Sequence, residues 1–311
     1  MKKRLLWLLL LVFVIVSAVY FFFPPDYTIR AATSVSVNAR AFRRVFPDDT
    51  KWIHWWPEAQ PATASSASKP RYHLNNATYT VVEKRLTSLV MLVKEGTDSL
   101  LTELFFIPLT DDSISLTWEV NANSTKEIGY GKAKKWHKGF TSVLQSIQRY
   151  YGEDENLYGI TIRKARVKDS ILIATSTSTQ GYPATETVYG LIKRLALYAA
   201  KNKSFQTGMP MVNVNTTDSI TYTTQVALPL DKMLSDSGSI VYRRMLGGGD
   251  ILFTDVRGGV NSISLAYKEM EHYVSDFRRT APAIPFLSLV TDRSKEPDTS
   301  KWVTRIYWPV M

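Results

Sequence analysis

The chain has 311 residues, 45% hydrophobic and 12% aromatic, a globular composition with apolar material for about two domains. It has no cysteine, which excludes disulfides, thiolate metal sites, a cysteine nucleophile and the lipid-bearing cysteine of a lipoprotein. Lys2, Lys3 and Arg4 carry part of the net charge of +10, and no arginine-rich run or aromatic-basic pattern follows, so nucleic acid is not an expected partner.

Leu5 to Phe23 is an apolar run without a charge. About 20 such residues span a bilayer as a helix. The basic residues before the run place the N-terminus in the cytoplasm and everything after Pro24 outside. Residues 1–25 are therefore expected to be a single-pass signal anchor in a bacterial cell membrane, with periplasmic domains. A cleaved signal peptide is the rival reading, since Val16-Ser17-Ala18 resembles a cleavage site. The anchor is preferred because Tyr20 to Phe23 carries the apolar run past that site.

Ala31 to Asn38 alternates small or apolar with polar residues, the pattern of a half-buried strand. A short helix, Ala39 to Phe46, is expected next, then the tryptophan-rich element Lys51-Trp52-Ile53-His54-Trp55-Trp56-Pro57. This opening resembles that of START-like polyketide cyclase proteins, the SRPBCC superfamily, and implies a curved antiparallel sheet gripping a long C-terminal helix around an apolar cavity. Residues 78–85, 87–95, 99–108 and 113–121 read as strands separated by polar turns. Lys134 to Tyr151 reads as a helix from the spacing of Trp136, Phe140, Val143, Leu144, Ile147 and Tyr150. The helix-grip domain is expected over 30–153, with Ala62 to Ser68 a mobile loop. The acidic stretch Gly152 to Asn156 closes it.

The remainder is duplicated. Tyr222 to Pro229 matches Trp302 to Pro309 at an offset of 80 residues, and Ile171-Leu172-Ile173 matches Ile251-Leu252-Phe253 at the same offset. Between these anchors each copy has one amphipathic helix, marked by Val188, Leu191, Ile192 and Leu195 or by Ile263, Ala266, Tyr267 and Met270. A proline-marked turn and a short apolar run follow each helix. Each copy thus reads strand, helix, strand, strand, and pairing the copies into one sheet buries both helix faces.

The second copy resembles the GyrI-like effector-binding domain in its order: GGGDILFTDVRGG from Gly247, the SLAYKEMEHYV helix from Ser264, PFLSLVTDR from Pro285, and TRIYWPV from Thr304. The resemblance covers 158–311 and implies a small-molecule pocket between the copies. The overall fold class expected is α+β.

In that family the final strand usually carries a glutamate pointing into the pocket, where this chain has Arg305. The resemblance therefore implies Arg305 and Tyr307, their repeat equivalent Gln225, and the aromatic Trp302 and Phe286 as ligand-binding candidates. By strand alternation Val303, Arg305 and Tyr307 share one face, and Thr304, Ile306 and Trp308 the other. An arginine in place of glutamate argues against cationic ligands and carboxylate-dependent hydrolysis, and favours an anionic or carbonyl-bearing one. Trp52, Trp55 and Trp56 either floor the first domain's cavity, touch the membrane interface or pack in its core.

No two of the four histidines have metal-ligand spacing, and there is no G-x-S-x-G elbow or phosphate loop, so no metal, cofactor or catalytic residue is implied. The expected function is non-catalytic binding of a small, partly apolar molecule. A small-molecule hydrolase and an envelope interaction protein are the alternatives.

Overall fold

The computed structural model describes residues 29–58, 70–120, 130–168, 170–216, 218 and 220–311, together with 7, 10–15 and 17. The expected loop at Ala62 to Ser68 lies outside the described residues, as does most of the expected span from Leu5 to Phe23. Residues 7, 10–15 and 17 are helical, and no helix among the described residues is long and apolar enough to cross a membrane. The chain divides into two compact units, Met1–Gly152 and Glu153–Met311.

The first unit is α+β: β1 (Arg30–Ser36), α1 (Ala39–Val45), a 3-10 turn (Asp49–His54), β2 (Tyr72–Leu74), β3 (Ala77–Lys84), β4 (Ser88–Glu95), β5 (Asp98–Thr110), β6 (Ser113–Val120) and α2 (Tyr130–Tyr151). The strands form one antiparallel sheet in the order β1-β6-β5-β4-β3-β2. Register shifts at Val81/Glu83 and Pro108/Thr110 are of the kind that bends a sheet. α1 starts at Asn38, whose side-chain oxygen accepts from the Arg40 and Ala41 N–H groups. On the inner face Ile114, Leu116 and Trp118 of β6 alternate with half-exposed neighbours, and α2 turns Trp136, Phe140, Val143, Leu144 and Ile147 toward them.

Between the sheet and α2 aromatic rings pack on one another. Trp118 stacks on Phe140 with centroids 4.5 Å apart, Phe46 on Trp52 at 5.4 Å, and Trp52 on Trp56 at 6.0 Å. Trp52, Trp55 and Trp56 are all buried, which makes them core. The Trp52 and Trp56 N–H groups donate to the carbonyls of Phe46 and His73, so burial leaves neither unsatisfied.

The second unit contains α3 (Asp154–Tyr158), β7 (Arg163–Arg166), β8 (Ser170–Gln180), α4 (Thr185–Lys201), β9 (Met211–Thr216), β10 (Thr221–Leu230), β11 (Val241–Met245), β12 (Asp250–Arg257), α5 (Val260–Asp276), β13 (Phe286–Leu289) and β14 (Val303–Val310). Its eight strands run in the order β11-β8-β10-β9-β13-β14-β12-β7. The duplication is visible as β8-α4-β9-β10 and β12-α5-β13-β14, joined where β9 meets β13.

Two short edge strands were not legible in the sequence, and they are exchanged. β7 precedes the first copy and pairs with β12 of the second; β11 precedes the second copy and pairs with β8 of the first. The two connections cross, with backbone bonds from Val167 N–H to Gly249 O and from Gly248 N–H to Val167 O. Gly248 sits there at φ +91°, a conformation that favours glycine. Both helices lie on one face of the sheet, where Leu191, Leu195, Ile263 and Ala266 join Val226, Leu228 and Ile306 in a single core. Leu195 and Ile306 are fully buried, each contributing about 1.5–3 kcal/mol of transfer free energy.

Candidate functional site

The copies meet over very few residues. β9 and β13 pair at Leu287 with Val212 and at Ser288 with Met211, after which the strands part, and the Asn213 side chain reaches across to donate to Pro285 O at 2.9 Å. Above this narrow junction the facing sides of α4 and α5 leave a cleft. It has two lobes that share Tyr182, Val212, Val214, Val260 and Leu287 as walls.

The smaller lobe, about 170 Å³, lies toward α4 and the connection between β13 and β14, and adds Val188, Tyr189, Leu289, Arg293 and Trp302. The larger, about 340 Å³ and more open, lies along α5, and adds Ile263, Ser264, Tyr267, Lys268 and Glu271 with the end of β9. An apolar wall with a few placed polar groups is the usual character of a small-molecule site. The start of α5, which puts Val260 between the lobes, depends on Gly258 at φ +120°. A Cβ there would stand 2.5 Å from Ser262 Oγ.

The polar groups of the smaller lobe include two phenols, the Thr185 hydroxyl and one guanidinium. Tyr182 packs edge-on against Tyr222 at 5.8 Å, and burial raises its pKa. The Tyr189 hydroxyl accepts from the Arg293 backbone N–H at 2.8 Å, and burial raises its pKa as well. Arg293 lies over the Trp302 ring, 4.5 Å from its centroid, and donates from Nη2 to Thr304 Oγ1 at 2.5 Å. Trp302 is itself fixed by donation from its indole N–H to Glu296 O at 2.7 Å.

Of the five residues expected from the sequence, Trp302 lines the cleft. Arg305, Tyr307, Phe286 and Gln225 line neither lobe. They alternate with buried, helix-facing residues: Arg305 and Tyr307 flank Ile306, and Gln225 lies between Thr224 and Val226. The helices pack over the Thr304-Ile306-Trp308 face because that is the apolar one, which turns Arg305 to the opposite side of the sheet. There its fork pairs with Asp255, its register partner on β12, at 2.7 and 2.9 Å, and its guanidinium lies 5.0 Å from the Phe253 ring centroid. The ion pair raises the Arg305 pKa and lowers that of Asp255. Tyr307 stacks on Phe286 at 4.9 Å.

Arg305→Glu sets two carboxylates opposite each other where an ion pair stood. The pair is about a third exposed, so the expected cost is about 1 kcal/mol. A urea melt checks it, and the cleft walls should keep their ligand affinity. Tyr182, Tyr189, Val260 and Arg293 were not anticipated. For Arg293 a signal existed: the connection between β13 and β14 takes residues 290–302, whereas its counterpart between β9 and β10 takes 217–220.

No family model matches the chain, and no curated protein matches it. Among solved structures, the EcmrR C-terminal domain is similar at 12% identity, with 49% of this chain and 98% of that one covered and a TM-score of 0.40. A hydrolase from Listeria innocua is similar at 12% identity over 49% of this chain and 92% of its own, with a TM-score of 0.37. A START superfamily protein from Mycobacterium smegmatis is similar at 13% identity over 40% of this chain and 96% of its own, with a TM-score of 0.31.

Proposed function

We propose that this chain is a small-molecule-binding protein whose ligand occupies the cleft between α4 and α5, and that it binds without catalysis. The observation that carries this reading is the cleft itself. Two connected lobes of about 170 and 340 Å³ stand over the junction of the duplicated halves, walled by Val188, Val212, Leu287 and tyrosines. Such a wall gains free energy by covering apolar ligand surface, about 25 cal/mol for each Å² removed from water. A ligand with a flat or chain-like apolar body suits it. The proposal includes an N-terminal anchor: Lys2-Lys3-Arg4 and the apolar run after them support a membrane attachment with both units outside the cytoplasm.

No histidine lines either lobe, and Glu271 is the carboxylate of the larger lobe. A hydrolase reading rests on Glu271 acting on a bound water. Turnover of an ester panel that is lost in Glu271→Gln would favour it over simple binding.

The binding reading is tested by a thermal-shift screen of the full-length chain in mild detergent against a metabolite panel. A ligand present at about 100 times its Kd adds about 2.7 kcal/mol to the stability of the second unit, a rise of several degrees. A panel rich in small amphipathic compounds that moves the transition nowhere counts against the proposal.

A further inference from the structure

We infer that the smaller lobe recognises a carboxylate, held by Arg293, on an otherwise apolar or aromatic ligand. The inference rests on the proposed use of the cleft and names the chemistry of its ligand.

Arg293 is half-buried, and its Nε is enclosed without a hydrogen-bond partner. No carboxylate among the described residues lies within ion-pair distance. Its sequence neighbour Asp292 is engaged by the Ser294 N–H and hydroxyl, by Lys295 at 3.3 Å and by the Tyr189 phenol. The groups around the guanidinium are Thr304, the Trp302 ring and the phenols of Tyr182 and Tyr189. Burial lowers the Arg293 pKa, the direction for a cation that has lost water and gained no counter-ion.

A desolvated charge without a counter-ion is costly to hold. An incoming anion recovers that cost, so the interaction is stronger there than on an open surface. The larger lobe does not share the imbalance, because Lys268 and Glu271 both line it.

The device is present in one copy alone. Thr304 accepts the Arg293 bond, whereas Thr224, its equivalent 80 residues earlier, is fully buried with its hydroxyl unpartnered. The short connection at 217–220 supplies no arginine. A guanidinium braced on an indole face, with one nitrogen already bonded, presents its remaining donors in a fixed direction, which suits a planar carboxylate.

The test compares 1-naphthylacetate with 1-naphthylacetamide, nearly equal in shape and different in charge, by calorimetric titration of the full-length chain in neutral detergent. The carboxylate is expected to bind about tenfold or more tightly than the amide. Arg293→Gln is expected to bring the two to near parity by weakening the carboxylate alone, and Arg293→Lys to keep part of the preference. Glutamine retains a donor for Thr304 and removes a desolvated charge, so the variant should melt no lower than the parent. Equal binding of both compounds by the parent overturns the carboxylate assignment and leaves the cleft reading standing. A preference that persists in Arg293→Gln overturns the role of Arg293. If neither compound binds at millimolar concentration while a ligand of the metabolite panel does, the carboxylate assignment fails and the cleft reading stands; if the panel fails too, both fall.

Discussion

Trp118→Ala is expected to destabilise the first unit by about 4 kcal/mol, the largest effect of any single change considered for this protein. The indole is fully buried on β6 and stacks on Phe140 of α2, with centroids 4.5 Å apart and planes 9° from parallel. It meets Tyr79 of β3 edge-on at 5.8 Å. Its N–H donates to Thr102 Oγ1 at 2.9 Å, and that hydroxyl donates in turn to Met91 O at 3.2 Å. One side chain therefore ties four strands to the helix laid across them. Alanine leaves a large void, removes the stacked pair and strips Thr102 of its donor, in a place where the rings are too interlocked to collapse inward. A domain of this size has about 5–15 kcal/mol in all, so the loss is a large fraction of its stability. Urea unfolding followed by tryptophan fluorescence measures it. A loss under about 1.5 kcal/mol would mean that this core is looser than the ring geometry indicates.

Val260→Trp is expected to weaken ligand binding by about 10- to 100-fold while leaving the melting temperature nearly unchanged. Val260 is the first residue of α5, belongs to the walls of both lobes and is 39% exposed. An indole at that place extends into the opening and competes with the ligand for space. Overfilling a packed site costs about 1–3 kcal/mol, which sets the size of the affinity loss. Since the side chain is not part of the core, the folded state itself should change by no more than about 0.5 kcal/mol. The same substitution at Val212, which is 2% exposed, would damage the core and could not separate binding from folding.

What the sequence made legible follows from where its apolar residues repeat. β1 and β3 to β6 of the first unit alternate, as in Ile114-Leu116-Trp118, and the long helix shows its apolar face, so their positions follow from pattern alone, whereas the three-residue edge strand β2 was not read. The strand-helix-strand-strand order of each copy follows likewise from the 80-residue offset. β7 and β11 carry no such pattern. Arg163-Lys164-Ala165-Arg166 and Val241-Tyr242-Arg243-Arg244-Met245 are edge strands with charged, half-exposed or exposed side chains, and their exchange between copies is decided by pairing across 67 residues or more.

The site divides in the same way. Alternation correctly separates Arg305 and Tyr307 from Ile306 and Trp308, but parity does not say which face meets the helices. The fully buried Ile306 answers that, and it places Arg305 opposite the cleft against Asp255. Trp302 was legible as a repeat anchor. Arg293 lies in Thr291-Asp292-Arg293-Ser294-Lys295, a polar run with the composition of a solvated turn, and its placement in the cleft depends on the Tyr189 and Thr304 bonds that fold the connection back over α4. The aromatic residues of the first unit were visible one by one. Their ring-on-ring packing is a tertiary property.

The central claim is that the cleft between α4 and α5, and not the opposite face of β14, holds a small molecule. Native mass spectrometry of the full-length chain released from detergent tests it most directly, with the parent, Val260→Trp and Arg305→Glu purified side by side from cells. The account predicts a small mass retained by the parent and by Arg305→Glu and lost from Val260→Trp. Retention by Val260→Trp together with loss from Arg305→Glu would contradict it and move the site to the other face of the sheet.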